Sequence, residues 1–405
     1  MSTSLCVAAE DIGIDLVRAR KTSSLLPALL AIGIVVSLRV GLSLLAWAVL
    51  ALFPLSEEWW ASVAAKVSPA LRPGDPLYFV VGPWQRWDAL FYERIAGGGY
   101  AVESASTPFW PLYPILMRLF GSLLGQNWAL AGLVISGIAL AVGLFVLWHL
   151  VADDVDPCVA TRTVVYMAIF PTAFFFFAPY TEALFLALMV TSFYFSRKGW
   201  WWLAGACGFA AALTRPHGVV LLVPLAWEFA RQHGWRWRAM WSRDVWHLAL
   251  ILLAPLLFTA YTHLAIGASS NPVQTLGDRW GETMRPPWES LWQGMLLVLK
   301  SAWPLTNYLD LFLMLGFLAL SILSLRLLPV SYGLLGLSLL APSLVFSNTA
   351  APLSSTPRFV LVDFPCFMLL ALAARRRIVH RVYVIAAFMG LLVLTAGFVR
   401  WAWIA

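Results

Sequence analysis

The sequence predicts an all-α polytopic membrane protein, and three observations carry that prediction. Of 405 residues, 61% are hydrophobic and only 12% charged, far more apolar than a soluble domain. Apolar runs long enough to cross about 30 Å of hydrocarbon recur along the whole chain. The basic residues gather in short segments between those runs, as orientation signals do, so the formal net charge of +7 is not a nucleic-acid signature. No soluble domain, low-complexity linker or long-period repeat interrupts the pattern. Residues 1–405 therefore read as one integral-membrane domain of about eleven spans.

Taken in order, Arg18, Arg20 and Lys21 precede a first span from about Leu25 to Leu55, which places the N-terminus in the cytoplasm. That run is too long for the apolar part of a signal peptide and lacks a small-residue cleavage site, so an uncleaved anchor is expected. The loop 56–111 then faces outward, carrying Glu57, Glu58, Asp75, Asp88, Glu93 and Glu103. A span near 127–150 returns inside. Two short apolar pieces, 162–178 and 182–196, reverse at Pro179-Tyr180-Thr181. A second short pair, 200–213 and 218–229, reverses at Thr214-Arg215-Pro216-His217-Gly218. The span 245–266 leads to a second outward loop, 267–303. Spans 304–325 and 328–346 reach a third outward segment at Ser347-Asn348-Thr349. A span from Arg358 to Ala374 ends at Arg375-Arg376-Arg377, and a last one covers 379–399. In this scheme Arg197-Lys198, the basic stretch Arg231 to Arg243 and the triple arginine all fall inside.

The paired short pieces are informative. About 14 helical residues reach only about 21 Å, less than the hydrocarbon core, and half-depth segments are tolerated where they line a protein-walled or water-filled cavity. Both reversals point outward, as do the long loops, so the polar residues collect in one outward cavity. Candidate lining residues are Trp87, Tyr92, Glu93, Tyr180, Glu182, His217 and Arg279, with Gln274 and Trp280 beside them. Arg39 lies deep in the first span, too far from either end to snorkel easily, so it is expected to face the protein interior.

Around Asp88, Pro83 suits a first helical turn and Gly97-Gly98-Gly99 a stop, which predicts a short helix over Trp84 to Ala96. Trp84, Trp87, Phe91 and Ile95 form an apolar stripe fit to lie on the membrane surface. Gln85, Asp88 and Tyr92 share the adjacent face. From the residues alone, Asp88 is either a general base or an acid that is solvated or paired with Arg86 or Arg94. Arg215 suits an anionic phosphate, or a structural pairing with Glu182. Arg358 suits the same phosphate, or simple snorkelling. His217 reads more readily as a hydrogen-bonded loop residue than as a base. The four cysteines (Cys6, Cys158, Cys207, Cys366) have no C-x-x-C pair, and the scattered histidines contain no H-E-x-x-H. The D-x-D at Asp154-Val155-Asp156 falls on the cytoplasmic side and reads as a helix-connecting loop. No metal or cofactor is expected.

The runs R-W-D-A-L-F-Y-E-R-I-A-G-G-G-Y (86–100), P-F-W-P-L-Y-P (108–114), F-P-T-A-F-F-F-F-A-P-Y-T-E-A-L-F (170–185), L-T-R-P-H-G (213–218) and S-S-T-P-R-F (354–359) occur in this order. They resemble the signatures of the PIG-V type mannosyltransferases, prokaryotic members included, within the GT-C superfamily of integral-membrane glycosyltransferases. The resemblance implies a GT-C-like helical bundle and an acidic base in the first outward loop, here Asp88. It implies a polyprenyl-phosphate sugar donor and a lipid, glycan or protein acceptor. An inverting mannosyltransferase of the cell membrane, acting on its non-cytoplasmic side, is the expectation. A transporter or flippase of a lipid-linked sugar is the alternative, since broken helices and intramembrane arginines fit that too.

Overall fold

The structure, a computed structural model, describes residues 25–56, 71, 75, 77–100, 106–236, 238, 241–267, 272–300, 305–348 and 350–404. The basic residues expected ahead of the first span, and Cys6, Glu57, Glu58, Glu103 and Thr349, lie outside the described residues.

Helix α1, Leu25–Leu52, is continuous and apolar except for Ser37, Arg39 and Ser43, and about 42 Å long. After a short helix α2, Tyr78–Val81, and a 3-10 turn, Gly82–Trp84, the chain forms α3, Asp88–Gly98. Gly99 stops α3 with φ +84°, a conformation only glycine takes freely. Helix α4, Leu112–Leu123, leads to α5, Trp128–Asp154, whose first turn is capped by Asn127 accepting from the Leu130 amide at 2.9 Å. Asp156 caps α6, Pro157–Ala168, accepting from the Val159 amide at 2.7 Å. The aspartates of the D-x-D thus end one helix and begin the next.

The second interrupted pair appears close to its expected bounds, whereas in the first the helix before the break, α6, ends at Ala168 rather than near Ala178. A 3-10 turn, Ala173–Phe176, precedes α7, Glu182–Arg197. Helix α8, Trp201–Thr214, breaks at the extended Arg215 into a 3-10 segment, Pro216–Leu221, and α9, Leu222–Gln232. Helix α10, Arg243–Tyr261, widens into a π turn over Thr262–Ile266. Then follow α11 (Pro272–Trp280), β1 (Glu282–Met284), α12 (Pro287–Lys300), α13 (Leu305–Leu327), α14 (Val330–Val345), β2 (Phe346–Asn348), α15 (Thr356–Leu361), α16 (Phe364–Ala373) and α17 (Arg377–Val399). β1 and β2 pair antiparallel, Thr283 opposite Ser347, and tie the segment between α11 and α12 to the end of α14.

Five of the described helices are long and apolar enough to cross a membrane unaided: Leu25–Leu52, Trp128–Asp154, Arg243–Ile266, Thr306–Leu327 and Arg377–Val399. The other apolar helices are shorter, so the expected eleven crossings do not appear as eleven full-length helices. Small residues let these helices approach closely, as membrane interfaces require. A Cβ added at Gly205 on α8 would stand 2.0 Å from the His247 carbonyl oxygen on α10, and one at Gly143 on α5 would stand 3.2 Å from the Ala187 backbone on α7. Buried Phe174, Phe176, Phe177, Phe185, Phe193 and Phe364 fill the centre.

Helix α7 joins two charged clusters. Its first residue, Glu182, enters the site described below. Its last, Arg197, bonds Asp154 at 2.8 Å and Glu228 at 3.2 Å. The 15 residue steps between them place the clusters about 22 Å apart.

Two expectations for the first outward loop are corrected. The helix starts at Asp88 rather than Trp84, because Trp87 takes φ +50° and the preceding turn is 3-10. The stripe Trp84, Trp87, Phe91, Ile95 does not lie on a membrane surface. Trp84 is fully buried, Ile95 nearly so, and Phe91 stacks on Phe109 at 4.5 Å.

Candidate active site

Four charged side chains from distant parts of the chain meet at the ends of broken helices. Asp88 opens α3, where the positive end of the helix dipole favours a carboxylate. Glu182 opens α7, Arg215 occupies the break after α8, and Arg358 lies in the one-and-a-half turns of α15. Arg358 is the hub. Its Nη1 donates to Asp88 Oδ2, and its Nε donates to Glu182 Oε1. Arg215 Nη1 approaches the same Glu182 oxygen at 2.9 Å. Glu182 is fully buried and the others nearly so. An isolated charge at such depth is prohibitively costly. Two carboxylates and two guanidiniums here cancel to zero net charge.

Aromatic rings wall the cluster. The Arg358 guanidinium lies 4.9 Å from the Tyr180 ring and 5.6 Å from Phe175, and Arg215 lies 5.4 Å from Phe359 and 5.9 Å from Phe185. The rings favour the cations by their quadrupoles while excluding water. The His217 ring lies tilted against Phe359, with centroids at 4.4 Å, and the Tyr92 hydroxyl lies 3.4 Å from Thr181 Oγ1, next to Glu182. Three buried polar atoms of the cluster lack hydrogen-bond partners, Glu182 Oε2, His217 Nδ1 and Arg215 Nη1, the last facing Glu182 through the ion pair alone. They are the polar positions at the cluster that the protein itself leaves unsatisfied.

Local backbone geometry supports this convergence. Trp87, with φ +50°, immediately precedes Asp88, and Ser355, with φ +67°, stands three residues before Arg358. Such conformations cost about 1–3 kcal/mol in non-glycine residues and persist only where their surroundings hold them. Thr172 Oγ1 donates to the Pro357 carbonyl at 2.9 Å, and the Tyr180 hydroxyl donates to the Arg86 carbonyl at 3.1 Å. The segment 172–180 thus anchors both sides of the ion cluster.

Of the residues singled out in the sequence, Asp88, Tyr92, Tyr180, Glu182, Arg215, His217 and Arg358 come together. Glu93 and Trp87 do not. Glu93 is buried and accepts from Gln85 Nε2 at 2.8 Å. Burial pushes its carboxyl up to about 8, against the opposing pull of Gln85 and Arg86. Trp87 packs against Trp401 and Trp403 instead, with centroids at 5.6 and 5.0 Å. The side chains of Gln274, Arg279 and Trp280, on α11, lie outside the described residues. Asp88 pairs with neither Arg86 nor Arg94 among the described ion pairs; its partner is 270 positions away. Arg39 does turn inward, its guanidinium 5.4 Å from Trp84 and 5.3 Å from Phe177, with Nη1 and Nη2 buried and unbonded.

The sequence reading missed Phe359, Phe175 and Phe185 as the rings under the arginines, although all three stand inside or beside the quoted motifs. It also passed over the Trp401-Ala402-Trp403 run, where paired tryptophans just beyond a span end were a visible signal. Among the described residues, no three His, Cys, Asp or Glu side chains are placed to hold a metal ion.

No protein-family model and no curated protein sequence matches the chain. The chain is similar in structure to ArnT from Cupriavidus metallidurans, whose crystal structure is bound to undecaprenyl phosphate. The TM-score is 0.51 and the identity 12%, over 90% of this chain and 77% of that one. At that identity the likeness is one of fold, and the chain is a multi-pass, all-α membrane protein that shares the fold of ArnT.

Proposed function

We propose that this protein is an inverting glycosyltransferase that moves a sugar from a polyprenyl-phosphate donor to an acceptor hydroxyl on the non-cytoplasmic side of the membrane. The observation that carries the reading is the Asp88–Arg358–Glu182–Arg215 cluster, in which a candidate base shares its guanidinium partner with a second acid. The shared fold with a protein crystallised with undecaprenyl phosphate supports the choice of donor class.

In this reading the donor phosphate competes with Asp88 for Arg358. An anionic phosphate accepts a bidentate pair of hydrogen bonds from a guanidinium as well as a carboxylate does. Its arrival releases Asp88 from Arg358 while Glu182 keeps both arginines in place. Asp88 then takes the proton of the acceptor hydroxyl as the oxygen attacks the anomeric carbon. The bond from that carbon to the phosphate oxygen breaks, and the electron pair leaves with polyprenyl phosphate. Arg215 and Arg358 stabilise the charge gathering there. Attack opposite the leaving group inverts the anomeric centre. A β-linked donor gives an α-linked product. Mannose as the sugar, and membership of the PIG-V family, rest on the sequence resemblance alone.

The test is incubation of purified protein in detergent with a panel of labelled polyprenyl-phosphate sugars and a membrane extract, with mass spectrometry of the products. A new glycosidic product from one donor supports the proposal. The absence of any covalent product, with vectorial movement of lipid-linked sugar in sealed vesicles, favours the flippase instead.

A further inference from the structure

The segment that follows the last membrane helix lies against the turn that precedes Asp88. Arg86 is buried, and its Nε donates to the Val399 carbonyl at 3.0 Å. Its guanidinium lies 4.8 Å from the Trp401 ring. Its Nη1 reaches back to the carbonyls of Gly82 at 2.7 Å and Gln85 at 3.1 Å, so one side chain stitches the 82–86 turn to the end of α17. Trp87 meets Trp401 and Trp403 edge-on, at interplanar angles of 64° and 84°. Phe398 packs on Trp84, Phe174 and Tyr180, with centroids at 6.4, 4.9 and 6.1 Å.

These contacts converge on residues immediately ahead of Asp88 and on the one strained residue among them. Trp87, with φ +50° and ψ −115°, does not hold that conformation by its own preference. Where it relaxes, the first turn of α3 rotates and the Asp88 carboxylate leaves Arg358. We propose that Val399–Trp403 is a positioning clasp for the candidate base. It presses on Arg86 and Trp87 from one side, while the Tyr180 hydroxyl holds the Arg86 carbonyl from the other. Trp401 and Trp403 pack on Trp87, and Trp401 also on the Arg86 guanidinium, so their influence on transfer passes through Arg86 and Trp87. Trp401 is therefore a positioning residue, and its catalytic consequence rests on the reading of Asp88 as the base.

The test uses the full chain purified in detergent, with two independent readouts. In the first, backbone hydrogen exchange is compared between wild type and Trp401→Ala. The clasp requires faster exchange concentrated at Trp87 to Tyr92. Unchanged exchange there, or loosening spread evenly along α17 and α1, overturns it whatever the protein's activity. In the second, turnover is measured with the polyprenyl-phosphate sugar that wild type uses. A displacement of about 1 Å can cost about a hundredfold, so Trp401→Ala is expected to lose at least about tenfold in kcat, with donor KM within about twofold. Trp401→Phe keeps a ring over Arg86 and recovers most of the loss. Trp87→Ala combined with Trp401→Ala is no worse than the poorer single variant, since both act through one contact. Wild-type kcat in the folded Trp401→Ala protein, or multiplied losses in the double variant, overturns the clasp. Failure of the base assignment shows separately, as Asp88→Asn retaining turnover.

Discussion

Removing Arg358 should cost more stability than removing Arg215, because Arg358 serves two acids at once and Arg215 only one. Arg358→Ala deletes the donations to Asp88 and Glu182 and leaves Asp88 with no cation among its described ion pairs. A hydrogen bond to a charged group contributes about 1.5–3 kcal/mol, and breaking a buried pair by removing one partner costs about 3–5 kcal/mol. Arg358→Ala should therefore lose about 3–5 kcal/mol. Arg215→Ala removes one approach to a Glu182 that keeps Arg358, and should lose about 1.5–3 kcal/mol. Arg358→Lys should fall between, since an ammonium keeps the charge but not the fork that spans two carboxylates. Reversible unfolding in mixed micelles with rising SDS, followed by tryptophan fluorescence, measures all three. In a double-mutant cycle, Asp88→Asn and Arg358→Ala should couple by about 1–3 kcal/mol. Equal costs for the two alanine variants, or a cost below about 1 kcal/mol for Arg358→Ala, would refute the assignment of Arg358 as the hub.

Three further outcomes are expected. Glu93 carries its proton in the folded state up to about pH 8, whereas an unfolded glutamate ionises above about pH 4.5; between those values the unfolded state binds fewer protons, so stability falls as pH rises. Wild type should lose melting temperature relative to Glu93→Gln between pH 5 and pH 8, and parallel curves would show that burial does not hold Glu93 neutral. In a protein stripped of its own cysteines, Ala350→Cys should react with a membrane-impermeant thiol reagent from outside intact cells and Arg238→Cys should not; the opposite pattern inverts the topology. Gly205→Ala should lower the melting temperature sharply, because the new methyl would stand 2.0 Å from the His247 carbonyl oxygen and overpacking costs about 1–3 kcal/mol or more; a neutral effect would mean that α8 and α10 do not pack at that distance.

The candidate site was legible in the sequence because burying charge is costly. Asp88, Glu182, Arg215 and Arg358 interrupt apolar runs or border them, and charged residues at membrane depth must find each other or a ligand. Position relative to the spans was enough to bring them to one side. The identity of the hub was not legible. Nothing in local spacing ties Arg358 to an acid 270 residues earlier, and only the fold makes that pair. The stripe on α3 was misplaced for a related reason: lipid and protein core reward the same apolar residues, so periodicity finds the face without saying what covers it. The start of α3 was misread because Trp87 adopts a positive φ that tryptophan's own preferences do not forecast; the ring it carries packs against Trp401 and Trp403, which follow the last helix. Glu93 shares a helix with Asp88, but partner choice rather than spacing separates them, since Gln85 holds one and Arg358 the other.

The most direct test of the central claim is the turnover of Asp88→Asn with the donor that wild type uses. The substitution keeps the size of the side chain and much of its hydrogen bonding but removes the group that accepts the acceptor's proton. General-base catalysis contributes about 10²- to 10⁴-fold, so kcat should fall by at least about a hundredfold in a protein that still folds and still binds polyprenyl phosphate. A well-folded Asp88→Asn enzyme with near-normal turnover would contradict the account.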